Sequence, residues 1–174
     1  MEFKLRDPQM VVQEYAKKYE ELETKDFQIE EECFATKRAF GCLDKELLKK
    51  IAYWKAPRSA GHIDNNSDEY VKEITGFALE AKEERSRIEI LTVLSGVGWP
   101  TASVILHFFH SDPYPILDFR VLWSLNTKVP KQYDFLFWWP YVEACRKLSQ
   151  QFGVNMRVLD RALWSYSKKH QGAL

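Results

Sequence analysis

The chain has 174 residues, enough for one domain or two small interleaved lobes, and 45% of them are apolar, which favours a folded protein over a disordered one. Its 25 basic and 25 acidic residues cancel, and its three cysteines, Cys33, Cys42 and Cys145, lack CxxC spacing, so they offer neither a disulfide framework nor a four-cysteine metal cluster. No apolar run has the length of a membrane span and residues 1–18 are charged, so the expectation is a soluble, cytoplasmic protein, nucleoid-associated in a prokaryote.

In chain order the sequence reads as helix after helix. Asp7 suits an N-cap and Pro8 a first helical position, ahead of the apolar stripe Val11, Val12, Tyr15, Tyr19 and Leu22. Asp44 opens a second helix that buries Leu47, Leu48 and Ile51 and ends near Ala56, because Pro57 disfavours helical geometry in the residue before it. APRSAGHIDNN then reads as a loop. Ser67 caps a third helix along Tyr70, Val71, Ile74, Phe77, Ala78 and Ala81, and Ser86 with Glu89 has capping-box spacing for a fourth, Arg87 to Leu94. SGVG at 95–98 stops that helix, and Pro100 falls in the first turn of the next. Pro140 is expected to begin a helix that Gly153 ends, and Asn155 to cap the last, MRVLDRALWSYSKKH. No segment alternates like a strand, and there is no internal repeat or long linker. The expected fold class is therefore all-α, a single helical domain over residues 1–174 with room for two interleaved lobes.

Charge is uneven along this chain. Residues 1–32 hold 10 acids against 5 bases, whereas from Asp118 onward 9 bases face 4 acids. Solvated helix faces account for such a pattern, and a basic C-terminal face suited to a polyanion is the alternative.

The richest segment is LTVLSGVGWPTASVILHFFHSDPYPILDFRVLWSL, residues 91–125. Two helices joined by a glycine-containing turn expose backbone N–H groups, because the first turn of the second helix has no intrahelical acceptors for them. Gly96 and Gly98 permit unusual backbone angles and close approach of a phosphate to the main chain from Ser95 through Val97 to Thr101. Such contacts hold a nucleic-acid backbone without reading its sequence. A plain helix-to-helix turn is the other account of GxG alone.

LSGVGWPTASVIL followed by YPILDFRVLWSL resembles the helix-hairpin-helix DNA glycosylase superfamily, to which endonuclease III and adenine DNA glycosylase belong, with the hairpin at about 87–110. Leu94, Gly96, Val97, Gly98, Thr101, Ala102 and Asp118 carry the resemblance, and PILD at 115–118 is similar to the adenine-removing branch. It implies a helical glycosylase fold in which Asp118 stabilises positive charge developing on the deoxyribose, and in which the hairpin backbone can hold a monovalent cation. From the residues alone, Asp118 is also a good N-cap for a helix starting at Phe119. Bifunctional members of the family carry a lysine nucleophile where this chain has Pro100. Iron–sulfur members end in four cysteines, where this chain has only Cys145 after Asp118. The chain departs further in placing Ser95 at the usual proline and in lacking the family's Gln-Thr helix.

Beyond the hairpin, Trp54, Lys55 and Arg58 in YWKAPR could offer an indole for stacking and two cations for phosphate, against the plainer account of a buried Trp with solvated charges. His107 and His110 share a helix face without an evident third metal ligand. Trp123, Trp138, Trp139 and Trp164 read as core, one of them able to line a base pocket. The expectation is a monomeric, monofunctional base-excision N-glycosylase that acts on DNA, with no iron–sulfur cluster, no side-chain metal site and no membrane attachment. The alternative is a non-catalytic helix-hairpin-helix DNA-binding protein, and a helical protein-interaction module is a third.

Overall fold

The computed structural model describes residues 2–22, 26–39 and 41–172, and none of them lies in a strand. The helices in chain order are α1 (Val12–Leu22), α2 (Asp26–Ala39), α3 (Lys45–Lys55), α4 (Pro57–Ala60), a 3₁₀ helix (Gly61–Asn65), α5 (Asp68–Glu80), α6 (Glu84–Leu91), α7 (Trp99–Phe109), α8 (Phe119–Ser124), α9 (Phe135–Phe152) and α10 (Met156–His170). They form two compact units: Met1–Thr24 with Pro113–Leu174, and Lys25–Asp112.

In the first unit α10 is the central element, packed against α1, α8 and α9. Asn155 caps it by accepting from the Val158 N–H at 2.9 Å, and one face buries Leu159, Ala162 and Leu163. Arg157 pairs with Asp160 at 2.7 Å and Arg161 with Glu20 at 2.9 Å, while both guanidinium groups lie over the Tyr19 ring, so α1 is held by packing and charge together. The extended N-terminal segment runs beside the end of α8, where Arg6 N–H donates to Ser124 O at 2.8 Å.

The second unit is built round α7, which buries Ala102, Val104, Ile105, Leu106 and Phe108 against α2, α3 and α6. Asp44 caps α3 through the Leu47 N–H at 2.8 Å, and Ser67 caps α5 through Tyr70 N–H at 3.1 Å. Both match their sequence signals, because an N-cap is a local device.

Several boundaries differ from those the sequence suggests. Asp7 does not cap α1; its side chain accepts from Gln9 N–H at 2.9 Å and closes a local turn, and the helix starts only at Val12. Val11, counted in the apolar stripe, is 47% exposed. The side chain of Leu22 lies outside the described residues. The segment after Ala56 is not a loop: Pro57 is tolerated in the first turn of α4, and the 3₁₀ helix follows at once. Ser86 is not a cap, because Arg87 N–H already donates to Glu83 O at 3.0 Å and α6 begins at Glu84. Pro140 lies inside α9 instead of starting it: Asp134 caps the helix through Phe137 N–H at 2.8 Å, five residues before the proline's own first-turn position would put the start. No sequence signal singled out α2, whose apolar residues are broken by the acid run Glu30, Glu31 and Glu32, although Ile29 and Cys33, four apart, are both buried.

Candidate nucleic-acid interface

The hairpin belongs to the second unit, and Asp118 to the first. α6 ends at Leu91, a turn of Thr92, Val93 and Leu94 leads to Ser95–Gly98, and α7 begins at Trp99 with Pro100 in its first turn, where the missing N–H costs no helical bond.

Two buried features shape the turn from inside. Val97, 5% exposed, anchors it in the core, and Asn66 clasps it: its Nδ2 donates to Ser95 O at 3.0 Å and to Ile63 O at 2.9 Å, while its Oδ1 accepts from Ser95 N–H at 2.9 Å. Ser95 therefore spends both backbone polar groups within the protein, and the Val97 N–H is also spent, on Leu94 O at 3.0 Å. Among the described residues no acceptor is assigned to the N–H of Gly96, Gly98 or Thr101. Thr101 is 1% exposed as a whole residue and its hydroxyl has no partner, so it lies behind the surface of the turn. Asn66 carries no motif, and no signal in the sequence points from it to a turn 29 residues later.

The two glycines differ. Gly96 has φ +84°, and a Cβ there would fall 2.8 Å from Ser59 O and 3.0 Å from Ile63 N, so the packing of the turn on α4 and the 3₁₀ helix demands glycine. Gly98 has φ −96°, is exposed, and a Cβ there would meet nothing nearer than Pro100 Cδ at 3.7 Å. Nothing in the fold requires glycine at 98. No side chain caps α7 at Gly98.

Asp118 sits at the end of a buried strap. Tyr114, Pro115, Ile116 and Leu117 are all buried, Tyr114 stacks on Trp138, and the Tyr141 phenol donates to Ile116 O at 2.7 Å. The half-buried Asp118 then caps α8, its Oδ1 accepting from Arg120 N–H at 2.8 Å. Its charge acts on neighbouring phenols: burial raises Tyr133 above the usual phenol range, and Asp118 raises it further. Tyr141, completely enclosed, is pushed up by burial first and by Cys145, Asp160 and Asp118 after it. Neither phenol was among the residues the sequence picked out.

The remaining candidates fall elsewhere. Trp54 is half-buried with its ring edge-on to Phe108, Lys55 is half-buried and Arg58 exposed at the start of α4. His107 packs its ring on Phe108, while the buried His110 accepts from Asp112 N–H at 2.9 Å through Nδ1, so the pair converges on no ion. Among the described residues no group of three or more His, Cys, Asp or Glu could hold a metal ion, and no helix is long and apolar enough to cross a membrane. Of the tryptophans, Trp138 is fully buried, whereas Trp123, Trp139 and Trp164 are half-buried, and Trp123 lines a groove of about 590 Å³.

No known family, curated protein or solved structure matches the chain.

Proposed function

We propose that the protein binds DNA through the Gly96–Thr101 turn and removes a damaged or mismatched base as a monofunctional N-glycosylase, with Asp118 as its electrostatic catalyst. The observation that carries this reading is Gly98: an exposed glycine with ordinary backbone angles and room for a side chain, at the uncapped start of α7. Where the fold makes no demand for glycine, close approach of something outside the protein supplies the reason. The N–H of the exposed Gly98 and the helix dipole there suit a phosphate oxygen. A monovalent cation at the hairpin would instead need carbonyl oxygens, and Ser95 O, which accepts one bond from Asn66, keeps a second lone pair.

As the glycosidic bond breaks, its electron pair leaves with the base and positive charge spreads over C1′ and the ring oxygen of the sugar. A carboxylate fixed nearby stabilises that cation, and water attacking C1′ completes hydrolysis to an abasic site. The cap bond from Arg120 N–H fixes the rotamer of the Asp118 carboxylate. Pro100 offers no amine at the position of the family's lysine, so no Schiff base forms there.

The test is incubation with duplexes carrying uracil, oxidised, alkylated or mismatched bases, followed by alkali. Strand cleavage that appears only after alkali, with no borohydride-trapped adduct, is expected. A trapped adduct would overturn the monofunctional assignment, and duplex binding with no base release from any substrate would support the non-catalytic alternative.

A further inference from the structure

The hairpin leaves unexplained a groove of about 590 Å³ in the first unit, lined by Arg6, Phe119, Trp123, Asn126, Lys128 and Gln171 among others. We infer that this groove binds an unpaired nucleic-acid strand, its bases stacking on Phe119 and on the Arg6 guanidinium that covers the Trp123 ring, and its phosphates meeting Lys128. The inference does not depend on the glycosylase reading.

The groove is a built feature. Arg6 N–H donates to Ser124 O at 2.8 Å, which holds the N-terminal segment along α8, and the Arg6 guanidinium is fixed twice, by Nε donating to Trp123 O at 2.9 Å and by lying 4.1 Å from the Trp123 ring centre. The opposite lip follows from the way α8 ends. Asn126 adopts φ +54°, its N–H returns to Trp123 O and the Thr127 N–H to Leu122 O, so the chain turns sharply and sets Asn126 and Lys128 on the groove, both exposed.

The chemistry of the lining selects the ligand. Phe119 is 41% exposed and Val129 50%, giving apolar surface in water, while the lining adds two cations and two side-chain amides and, among the described residues, no carboxylate. Flat apolar surface beside fixed positive charge is complementary to a ligand with planar faces and regularly spaced negative charge. A duplex hides its base faces, whereas an unpaired strand offers them. The cation–aromatic surface also continues past the groove: the Arg120 guanidinium lies 5.0 Å from the Phe119 ring centre and 5.5 Å from that of Trp164, and Lys168 Nζ 4.8 Å from Trp164. That continuation fits several consecutive nucleotides better than one free nucleotide. Of the bases after Asp118, Arg157 and Arg161 are engaged with α1, while Lys128 and Lys168 lie on this surface.

The experiment is fluorescence anisotropy of a labelled oligothymidylate with the full chain, set beside a labelled duplex and a labelled polyglutamate. Oligothymidylate should bind with affinity that falls as salt rises, and Trp123→Ala should weaken it by about fivefold or more, the range for losing one stacking platform. Lys128→Glu, an exposed change without consequence for folding, should weaken it as well and lower the salt dependence by about one ion. A bulky residue at Gly98 should impair duplex binding while leaving the oligothymidylate affinity unchanged, which separates failure at the hairpin from failure at the groove. Oligothymidylate that does not bind, or that binds Lys128→Glu and Trp123→Ala as well as the native protein, overturns the inference. Polyglutamate that binds and is lost in Lys128→Glu also overturns it, because the groove would then be a site for an acidic peptide.

Discussion

Gly96 and Gly98 stand two residues apart and are glycine for different reasons. An alanine at 96 would adopt a left-handed conformation that costs about 1–2 kcal/mol, and its Cβ would press on the Ser59 carbonyl as well. Gly96→Ala should therefore lower the melting temperature by several degrees, measurable by calorimetry. Gly98→Ala should leave the melting temperature almost unchanged and weaken binding of a duplex in an anisotropy titration. Equal duplex affinity in a folded Gly98→Ala variant would remove the hairpin from the binding site. The GVG pattern is plain in the sequence, but the division of labour within it is not, because Ser59 and Ile63 are brought to Gly96 only by folding. Asp118 is a similar case. Its cap role could be read locally, while the strap that positions it depends on Tyr141, 25 residues beyond Ile116.

At the level of elements, the hairpin is held by Asn66 as well as by the packing of α6 on α7. Asn66→Ala would remove three hydrogen bonds and leave the Ser95 N–H and carbonyl to find other partners, while Ile63 O keeps the Asn66 N–H, at a cost of roughly 2–4 kcal/mol for bonds worth about 1 kcal/mol each and a buried group left unpaired. A lower urea midpoint together with weaker duplex binding is expected. A midpoint shift with duplex binding unchanged would show that the turn keeps its shape without the clasp. Helices α3, α5 and α10 were legible because cap, apolar spacing and stop signals lie within a few residues of one another. Helix α2 was not, since its burial comes from packing on α3 and α7 and its own pattern is interrupted by three acids. The start of α9 was misplaced for the opposite reason. Pro140 is a loud local signal, but the Asp134 cap and the burial of Phe137 and Trp138 begin the helix ahead of it.

At the scale of the whole molecule, the chain leaves its first unit after α1 and returns to it at Pro113, so that α1 packs on α10 at the far end of the sequence. Composition and periodicity fix helices, and neither encodes that return. The same scale governs the thiols. Burial, with the charges of Glu32 and Glu30 added, raises the Cys33 thiol from its ordinary 9.0 to about 12, and burial raises Cys145 as well. The folded state thus keeps protons that the unfolded chain gives up at about pH 9. Their contribution is complete below that pH and declines as pH rises toward 12, a trend that the raised phenols of Tyr133 and Tyr141 reinforce. Melting temperatures should hold steady on the alkaline side up to about pH 9 and then fall. Iodoacetamide at pH 8 should modify the half-buried Cys42 in the native protein and reach Cys33 and Cys145 only on unfolding. Rapid native labelling of all three would contradict this burial.

In the proposed reaction Asp118 acts through its charge. Asp118→Asn keeps the size of the side chain and an oxygen able to accept from Arg120 N–H, so the cap and the fold should survive. The decisive measurement is single-turnover base release by the native protein and by Asp118→Asn, on a substrate the native protein processes, with melting temperature and duplex affinity recorded alongside. The account predicts a variant that folds and binds DNA like the native protein but releases base roughly 10²–10³-fold more slowly, the scale for deleting one preorganised electrostatic group. Base release at the native rate by the folded variant would contradict it and leave Asp118 as a helix cap alone.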